Sequence, residues 1–317
     1  MMAMSEPVDP AVPPPPAPGV EACYRHPSQP TLVHCTRCGR PICPDCMIAA
    51  PVGHQCPECV GQAQRAFRQG PGRRVQVRSI TATKVLLAAI LGVFVLEMLG
   101  GPGSLVNGPS GRALLKLGAL QPFLIADGQF WRLFTAMFLH AGLFHIMFNA
   151  WALWVFGSVV ERDFGTPRFL AIFFITGFLA SAASYAFGPV EQVGVGASGA
   201  IFGIFGAFAA YNWRRRHLAL AAQNLRTAMS LLLLNAVLAF AIPGIDWRAH
   251  LGGFVAGVAA GFVADPGSGR TRGTLVAVAG LTAIAAAGLA LVMWRTDAIR
   301  ALPFFEEGVR FFSRMAG

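Results

Sequence analysis

The sequence predicts an all-α polytopic membrane protein with a small metal-binding domain in front of it. Three observations carry this. Of 317 residues, 55% are hydrophobic and only 13% are charged, against about a quarter charged in an ordinary soluble domain. The apolar residues gather into seven runs, at 83–101, 133–160, 168–188, 197–213, 227–243, 248–265 and 274–294; most approach the ~20 residues that carry a helix across a bilayer. All seven Cys precede residue 60. The formal net charge of +10 would suggest nucleic acid in a soluble chain. Here the Lys and Arg flank the apolar runs, where they anchor and orient helices.

Taken in order, residues 1–20 contain VPPPPAPG and read as a disordered Pro-rich tail. No cleavable signal peptide is expected, since the first residues lack a charged n-region and an apolar h-region. Residues 21–62 hold the Cys/His cluster, and 63–82 form a basic linker. The second apolar run is long, so its helix is expected to start near Gly142 or Leu143. The fifth and sixth runs are short, with DWR marking the turn between them. Residues 102–130 carry Gly and Pro throughout and cannot form a simple span; they are expected at the outer surface, partly embedded. Arg65, Arg68, Arg73, Arg74, Arg78 and Lys84 precede the first run, Arg162 and Arg168 follow the second, Arg214, Arg215, Arg216 and Arg226 follow the fourth, and Arg270 and Arg272 follow the sixth. All fall on one side if the N-terminus is cytoplasmic, which puts the C-terminus outside and the chain in the plasma membrane. The segment PFFEEGVRFFSRM near the end reads as a short interfacial amphipathic helix.

The Cys spacing is Cys23-x2-His26-x8-Cys35-x2-Cys38-x4-Cys43-x2-Cys46-x9-Cys56-x2-Cys59. Four ligand pairs make eight ligands, enough for two tetrahedral structural zinc ions. Short knuckles such as CTRCG present two thiolates to one metal, and free thiols point to a reducing cytosolic side. The pattern resembles B-box and RING-like modules. That resemblance implies interleaved pairing, with Cys23, His26, Cys43 and Cys46 on one ion and Cys35, Cys38, Cys56 and Cys59 on the other. Sequential pairing stays open, and His34 and His54 are spare ligands. No aromatic–basic stripe argues for nucleic acid, so a cytosolic protein partner is the expected ligand of the module.

Polar groups inside apolar runs are costly and mark function. Ser198 sits in GVGASGAIFG, between Gly196 and Gly199, at the start of the fourth run. A helix start offers free main-chain N–H groups and the positive end of the dipole, which suit a nucleophile that generates an oxyanion. The bland alternative is a helix-packing serine, since Gly199-x-x-x-Gly203 is also an interface pattern. His250 opens the sixth run in AHLGGFVAG, where Gly253-x-x-x-Gly257 lets this helix pack closely on a neighbour. If the two glycine faces meet, His250 reaches Ser198 as its base. In HAGLFHIMFNAW, His145 and Asn149 are four apart and share a helix face; both can donate to a developing negative charge. The alternative is a hydrogen-bonded pair that joins helices. His140 is expected to brace the loop before them. Trp131 and Arg132 read as interfacial anchors that tie the outer loop to the helices, and Glu161 as a cap for Arg162 or main-chain groups. Glu97 has no evident partner.

Trp131-Arg132, the HxxxN of His145 and Asn149, GASG with Ser198 and AHLGGFVAG with His250 together resemble the rhomboid intramembrane serine proteases. The four motifs stand in the family's order over about residues 83–265. The resemblance implies a rhomboid-like six-helix core over 83–265, with residues 266–317 adding a seventh transmembrane helix and a tail. It further implies a Ser198–His250 dyad needing no third carboxylate and no catalytic cofactor. His145, Asn149 and the Ser198 N–H would hold the oxyanion, and transmembrane proteins within the bilayer would be the substrates. The residue one turn after the serine is often Tyr in such enzymes and here is Phe202, which can still stack on His250. The alternative within the family is a catalytically inactive, client-binding relative, which would lack Ser198 or His250. A transporter would want paired midplane charges or an internal repeat, and the runs offer neither clearly.

Overall fold

The computed structural model describes residues 20–50, 52–69, 81–99, 108–241, 244–268 and 270–317. The chain divides into two compact units, Met1–Val77 and Arg78–Gly317. The Pro-rich tail up to residue 19, the basic stretch 70–80 and the first part of the outer loop, 100–107, lie outside the described residues.

In the first unit, β1 (Glu21–Ala22) pairs antiparallel with β2 (Pro30–Thr31), and β3 (Ile48–Ala49) with β4 (His54–Gln55). Helix α1 (Pro57–Gln69) follows, with Pro at its first position, where the missing N–H costs nothing. It runs past residue 62, through the first third of the stretch read from sequence as linker. The interior consists almost wholly of Cys side chains around Ile42. A unit this small buries too little apolar surface to fold easily on that alone, and a bound metal is one usual supplement.

The second unit is all helical. Helix α2 (Thr81–Leu99) is apolar on all sides, as a lipid-facing span must be. The outer loop then folds as two short helices, α3 (Gly111–Leu117) and α4 (Pro122–Ala126). Ser110 caps α3 by accepting from the Ala113 N–H, and Gln121 caps α4 through Leu124. The expected second span is broken. It opens as α5 (Arg132–Thr135), runs extended at Leu139, and restarts as α6 (Leu143–Ala152), at the residue the sequence suggested. One wide π turn at Leu153–Gly157 joins α6 to α7 (Ser158–Phe164). Helices α8 (Thr166–Phe187), α9 (Ser198–Arg214), α10 (Ala219–Ala241), α11 (Trp247–Val263), α12 (Arg270–Arg300) and α13 (Phe305–Ala316) complete the unit.

Among the described residues, four helical stretches are long and apolar enough to cross a membrane: Thr81–Leu99, Leu143–Phe164, Thr166–Phe187 and Gly273–Arg300. Val85, Phe148, Leu233 and Leu275 are exposed, and on a multi-pass membrane protein lipid covers such a surface. Helices α9 and α11 have 17 residues each. They are short because they form the centre, and most of α9 is buried by its neighbours. The sequence made the fifth helix short as well, and this is corrected: α10 has 23 residues and begins at Ala219 rather than 227. Ala219–Ala222 favour helix, and the polar turn that follows is accommodated because Asn224 donates to Asn212 Oδ1 at 3.1 Å.

Helices α9 and α11 meet through glycines. A side chain on Gly253 would collide with the Gly199 carbonyl, and one on Gly257 with the Gly203 carbonyl. Helix α12 lies along α8, where the buried Tyr185 hydroxyl and Thr296 Oγ1 are 2.9 Å apart. The amphipathic α13 covers α3 and α4, and Phe312 stacks on Phe123 with centroids 6.0 Å apart. The expected amphipathic helix therefore forms, and it is docked against the two helices of the loop at 102–130.

Two polar clusters fix helix ends. Both Glu161 carboxylate oxygens accept hydrogen bonds at the start of α2, from Ala82 N (3.0 Å), Thr83 N (2.8 Å) and Thr83 Oγ1 (2.8 Å). Arg162 bonds instead to the Ser158 carbonyl. Beyond the end of α11, Asp265 holds Arg215 through two hydrogen bonds of 3.0 and 2.9 Å and pairs with Arg214 at 3.3 Å. Burial pushes the Asp265 carboxyl up, but Arg215 and the Gly267 N–H hold it below the usual carboxylate range. Its contribution is therefore present above the ordinary Asp pKa of about 4 and is lost as pH falls through the lowered folded value. Replacing Asp265 with Asn is expected to cost about 2 kcal/mol, since Arg215 is partly exposed and keeps some solvation. A thermal-unfolding midpoint in detergent checks this.

Candidate active site

Helix α9 begins at Ser198 because Gly196 can take φ +131°, a left-handed value that disfavours other residues. The Gly196 N–H donates to the Ala136 carbonyl at 2.9 Å, and Leu120 and Gly194 exchange two main-chain hydrogen bonds of 2.9 Å. The approach to the serine is thus tied to the junction between α3 and α4 and to the turn after α5. Helix α11 brings His250 alongside, four residues into the helix. His250 Nε2 and Ser198 Oγ are 2.9 Å apart, within hydrogen-bond reach. Phe202, one turn along α9, stacks on the imidazole with centroids 4.3 Å apart and planes 14° apart. That contact fixes the ring plane.

His145 faces the same small space from α6. A methyl group on Gly196 would stand 2.8 Å from His145 Nε2 and 3.5 Å from Ser198 Oγ. His145 Nδ1 accepts from the Ala141 N–H at 3.3 Å, which leaves Nε2 as the protonated nitrogen of a neutral ring. Asn149 is buried one turn later, and its Nδ2 donates to the His145 carbonyl at 2.9 Å. A group that can be deprotonated, a base at bonding distance and an N–H donor around one space are the parts needed for acyl transfer.

The supporting residues fall around this centre. His140 is fully buried; its ring lies 5.1 Å from that of His145, and its main-chain N–H donates to Glu97 Oε1 at 2.9 Å. Glu97 thereby finds the partner that was not evident from sequence, on the segment entering α6. Arg132 is buried, donates to the Leu115 and Ala119 carbonyls at 2.8 and 3.0 Å, and lies over the half-exposed Trp131 ring. It ties the outer loop to α5 as expected.

Sequence reasoning missed Asp246. Its Oδ1 accepts from the Arg248 and Ala249 N–H groups at 3.1 and 3.2 Å, and its Oδ2 accepts from the Ser184 hydroxyl. Asp before a helical run is an N-cap signal, and DWRAH carries it.

In the first unit, Cys23, His26, Cys43 and Cys46 gather in one group and Cys35, Cys38, Cys56 and Cys59 in another, with ligand atoms within 4.8 Å in each. This is the interleaved pairing. His34 pairs with Glu21 and His54 lies in β4, both outside the groups. Burial raises the Cys23 thiol, but main-chain hydrogen bonds at Cys43, Arg25 and His26 outweigh it and bring the thiol to about 6. Burial and the adjacent thiols push Cys46 up to about 11 and Cys59 to about 12. Three close sulfurs in one group and four in the other cannot all ionise on their own, and a cation at each centre removes that conflict. The donor set therefore fits a metal ion in each group.

Residues 127–266 match the family model described as the rhomboid domain. The chain is 38% identical over 170 residues to rhomboid protease GluP of Bacillus subtilis, covering 53% of this chain and 31% of that protein. It is 38% identical over 167 residues to RHOMBOID-like protein 5 of Arabidopsis thaliana, covering 50% and 52%. It is 34% identical over 139 residues to YdcA, a further rhomboid chain of Bacillus subtilis, covering 44% of this chain and 69% of that one. The chain thus spans about a third and a half of the first two. The match includes α9 and α11, whose first turns carry Ser198 and His250, and with it the sequence, the helical architecture and the relatives agree: this chain belongs to the rhomboid family.

Proposed function

We propose that the protein is an intramembrane serine endopeptidase that cleaves transmembrane segments of other membrane proteins. The observation that carries this is the 2.9 Å separation of Ser198 Oγ and His250 Nε2 across the α9–α11 contact. Ser198 Oγ attacks the scissile carbonyl carbon while its proton passes to His250 Nε2. The carbonyl oxygen becomes an oxyanion, held by the Ser198 N–H, by His145 Nε2–H and by the remaining Asn149 amide proton. Collapse breaks the C–N bond, and the leaving amine takes the proton from His250. A water then gives its proton to His250 and attacks the acyl-enzyme, freeing the second product and restoring the serine. Orientation and oxyanion stabilisation supply the rate, so no third carboxylate and no catalytic metal is needed. Helices that unwind easily, with small residues near the cut, suit such a site because the bond must leave its helical hydrogen bonding to be attacked.

The test uses the full chain in detergent with a fluorophosphonate probe. Wild type is expected to label at Ser198, mapped by mass spectrometry, and Ser198→Ala and His250→Ala to stay unlabelled. Folded wild type that fails to label, beside an active relative that does, would favour the client-binding reading.

The first unit would hold two structural zinc ions, since buried Cys and His ligands in sets of four suit zinc. Their role is to fold a module that engages a cytosolic protein. The Lys/Arg distribution and the need for reduced thiols support an N-terminus in the cytoplasm, the C-terminus outside and residence in the plasma membrane. Cys56→Ser is expected to lower bound zinc from about two ions per chain to about one, read by elemental analysis. It should also make residues 20–69 protease-sensitive, while the second unit keeps its thermal transition.

A further inference from the structure

We infer that Asp246 is the positioning residue for His250, and that it acts through Ser184. The inference rests on the dyad reading above.

His250 lies in the first turn of α11, where a helix has no preceding turn to hold its N–H groups. Any fraying there moves the imidazole directly. Asp246 prevents it at three consecutive residues. Its carboxylate accepts from Arg248 N and Ala249 N, and its carbonyl accepts from His250 N at 3.2 Å. The other carboxylate oxygen accepts from the hydroxyl of Ser184, a buried residue in the last turn of α8. Ser184 is in turn fixed from the loop that leads to Ser198. Gln192 Nε2 donates to its carbonyl at 3.0 Å and to its Oγ at 3.1 Å, and the Gly188 N–H donates to the same carbonyl at 2.8 Å.

The side chain of Asp246 therefore joins three elements at one point: the end of α8, the segment running to the nucleophile, and the start of the helix that carries the base. Phe202 sets the plane of the His250 ring from one side. Asp246 sets where the ring stands along the helix axis and how far α11 turns toward α9. The role is geometric, so the amide of Asn can fill it: Asn caps helices as well as Asp does, and its Nδ2–H can replace the contact to Ser184.

The experiment compares Asp246→Ala, Asp246→Asn, Ser184→Ala and the double variant Ser184→Ala/Asp246→Ala with wild type in the full chain. The readouts are the rate of fluorophosphonate labelling at Ser198, kcat and KM on a transmembrane peptide, and the thermal midpoint. Asp246→Ala is expected to lower kcat and the labelling rate by about 30-fold with KM within about two-fold, as for a base held out of place. Asp246→Asn is expected to stay within about three-fold of wild type. The double variant should be no slower than Asp246→Ala, because both changes break one link. The inference is overturned if Asp246→Ala labels at the wild-type rate, or if Asp246→Asn is as slow as Asp246→Ala while remaining folded. Failure of wild type to label, or labelling that survives Ser198→Ala, overturns the dyad itself and this inference with it.

Discussion

Replacing Ser198 or His250 with Ala is expected to reduce cleavage of a transmembrane substrate by about five to six orders of magnitude. The double replacement should be no worse than either single one, because nucleophile and base act as a unit. Ser198 Oγ is a weak nucleophile until its proton has somewhere to go, and His250 Nε2 at 2.9 Å is the acceptor. Removing the histidine leaves the hydroxyl in place but without a base. Neither change should unfold the chain, since Ser198 contributes a small side chain and His250 is only partly buried. Product formation in proteoliposomes, followed by mass spectrometry, measures the loss; circular dichroism confirms the fold. Cleavage persisting within ten-fold of wild type in either variant would sink the dyad.

The second large effect is expected at Gly257. Replacing it with Leu drives a side chain into the backbone of Gly203, because a single added carbon already collides with the Gly203 carbonyl. Backbone cannot step aside as a side-chain tip can, so α9 and α11 must separate. Overpacking of this kind costs about 3 kcal/mol or more. Displacing one member of a reacting pair by ~1 Å costs about a hundred-fold in rate. Labelling should therefore fall at least a hundred-fold, with a lower thermal midpoint, although Gly257 lies two turns from the reacting atoms. Gly92 in α2 is the control. A side chain there meets open space, and Gly92→Leu should leave labelling unchanged.

The helices and the pairing of α9 with α11 were readable because both rest on local signals: apolar length, and small residues repeated at four-residue spacing. The two metal-binding groups were readable for the same reason, since the CxxC and CxxH pairs declare themselves, and the interleaved order came from resemblance. What stayed hidden depends on contacts between distant segments. Glu97 meets a main-chain N–H 43 positions away, and Asp246 meets Ser184 62 positions away. No periodicity announces such pairs. The length of α10 was hidden because Gln223, Asn224 and Arg226 look like a loop until Asn212 is seen to receive one of them. The outer loop concealed two helices because each is shorter than two helical turns.

The wide turn at Leu153–Gly157 makes the stretch from Leu143 to Phe164 unusually tolerant of losing one residue. Each residue of a regular helix advances the azimuth by about 100°, and a π turn absorbs one residue beyond that count. Deleting a single residue between 153 and 157 would let the segment relax into an uninterrupted α-helix. Asn149 and Glu161 would both keep their headings, since the residue lost is the one the turn absorbs; closing the turn to α geometry with every residue kept would swing everything after it by about a quarter turn. Glu161 would then point away from Ala82 and Thr83, and the start of α2 would lose its anchor. A one-residue deletion in this turn leaves the faces of both halves unchanged, whereas a substitution that closes the turn changes which face the far half of the helix shows to its neighbours.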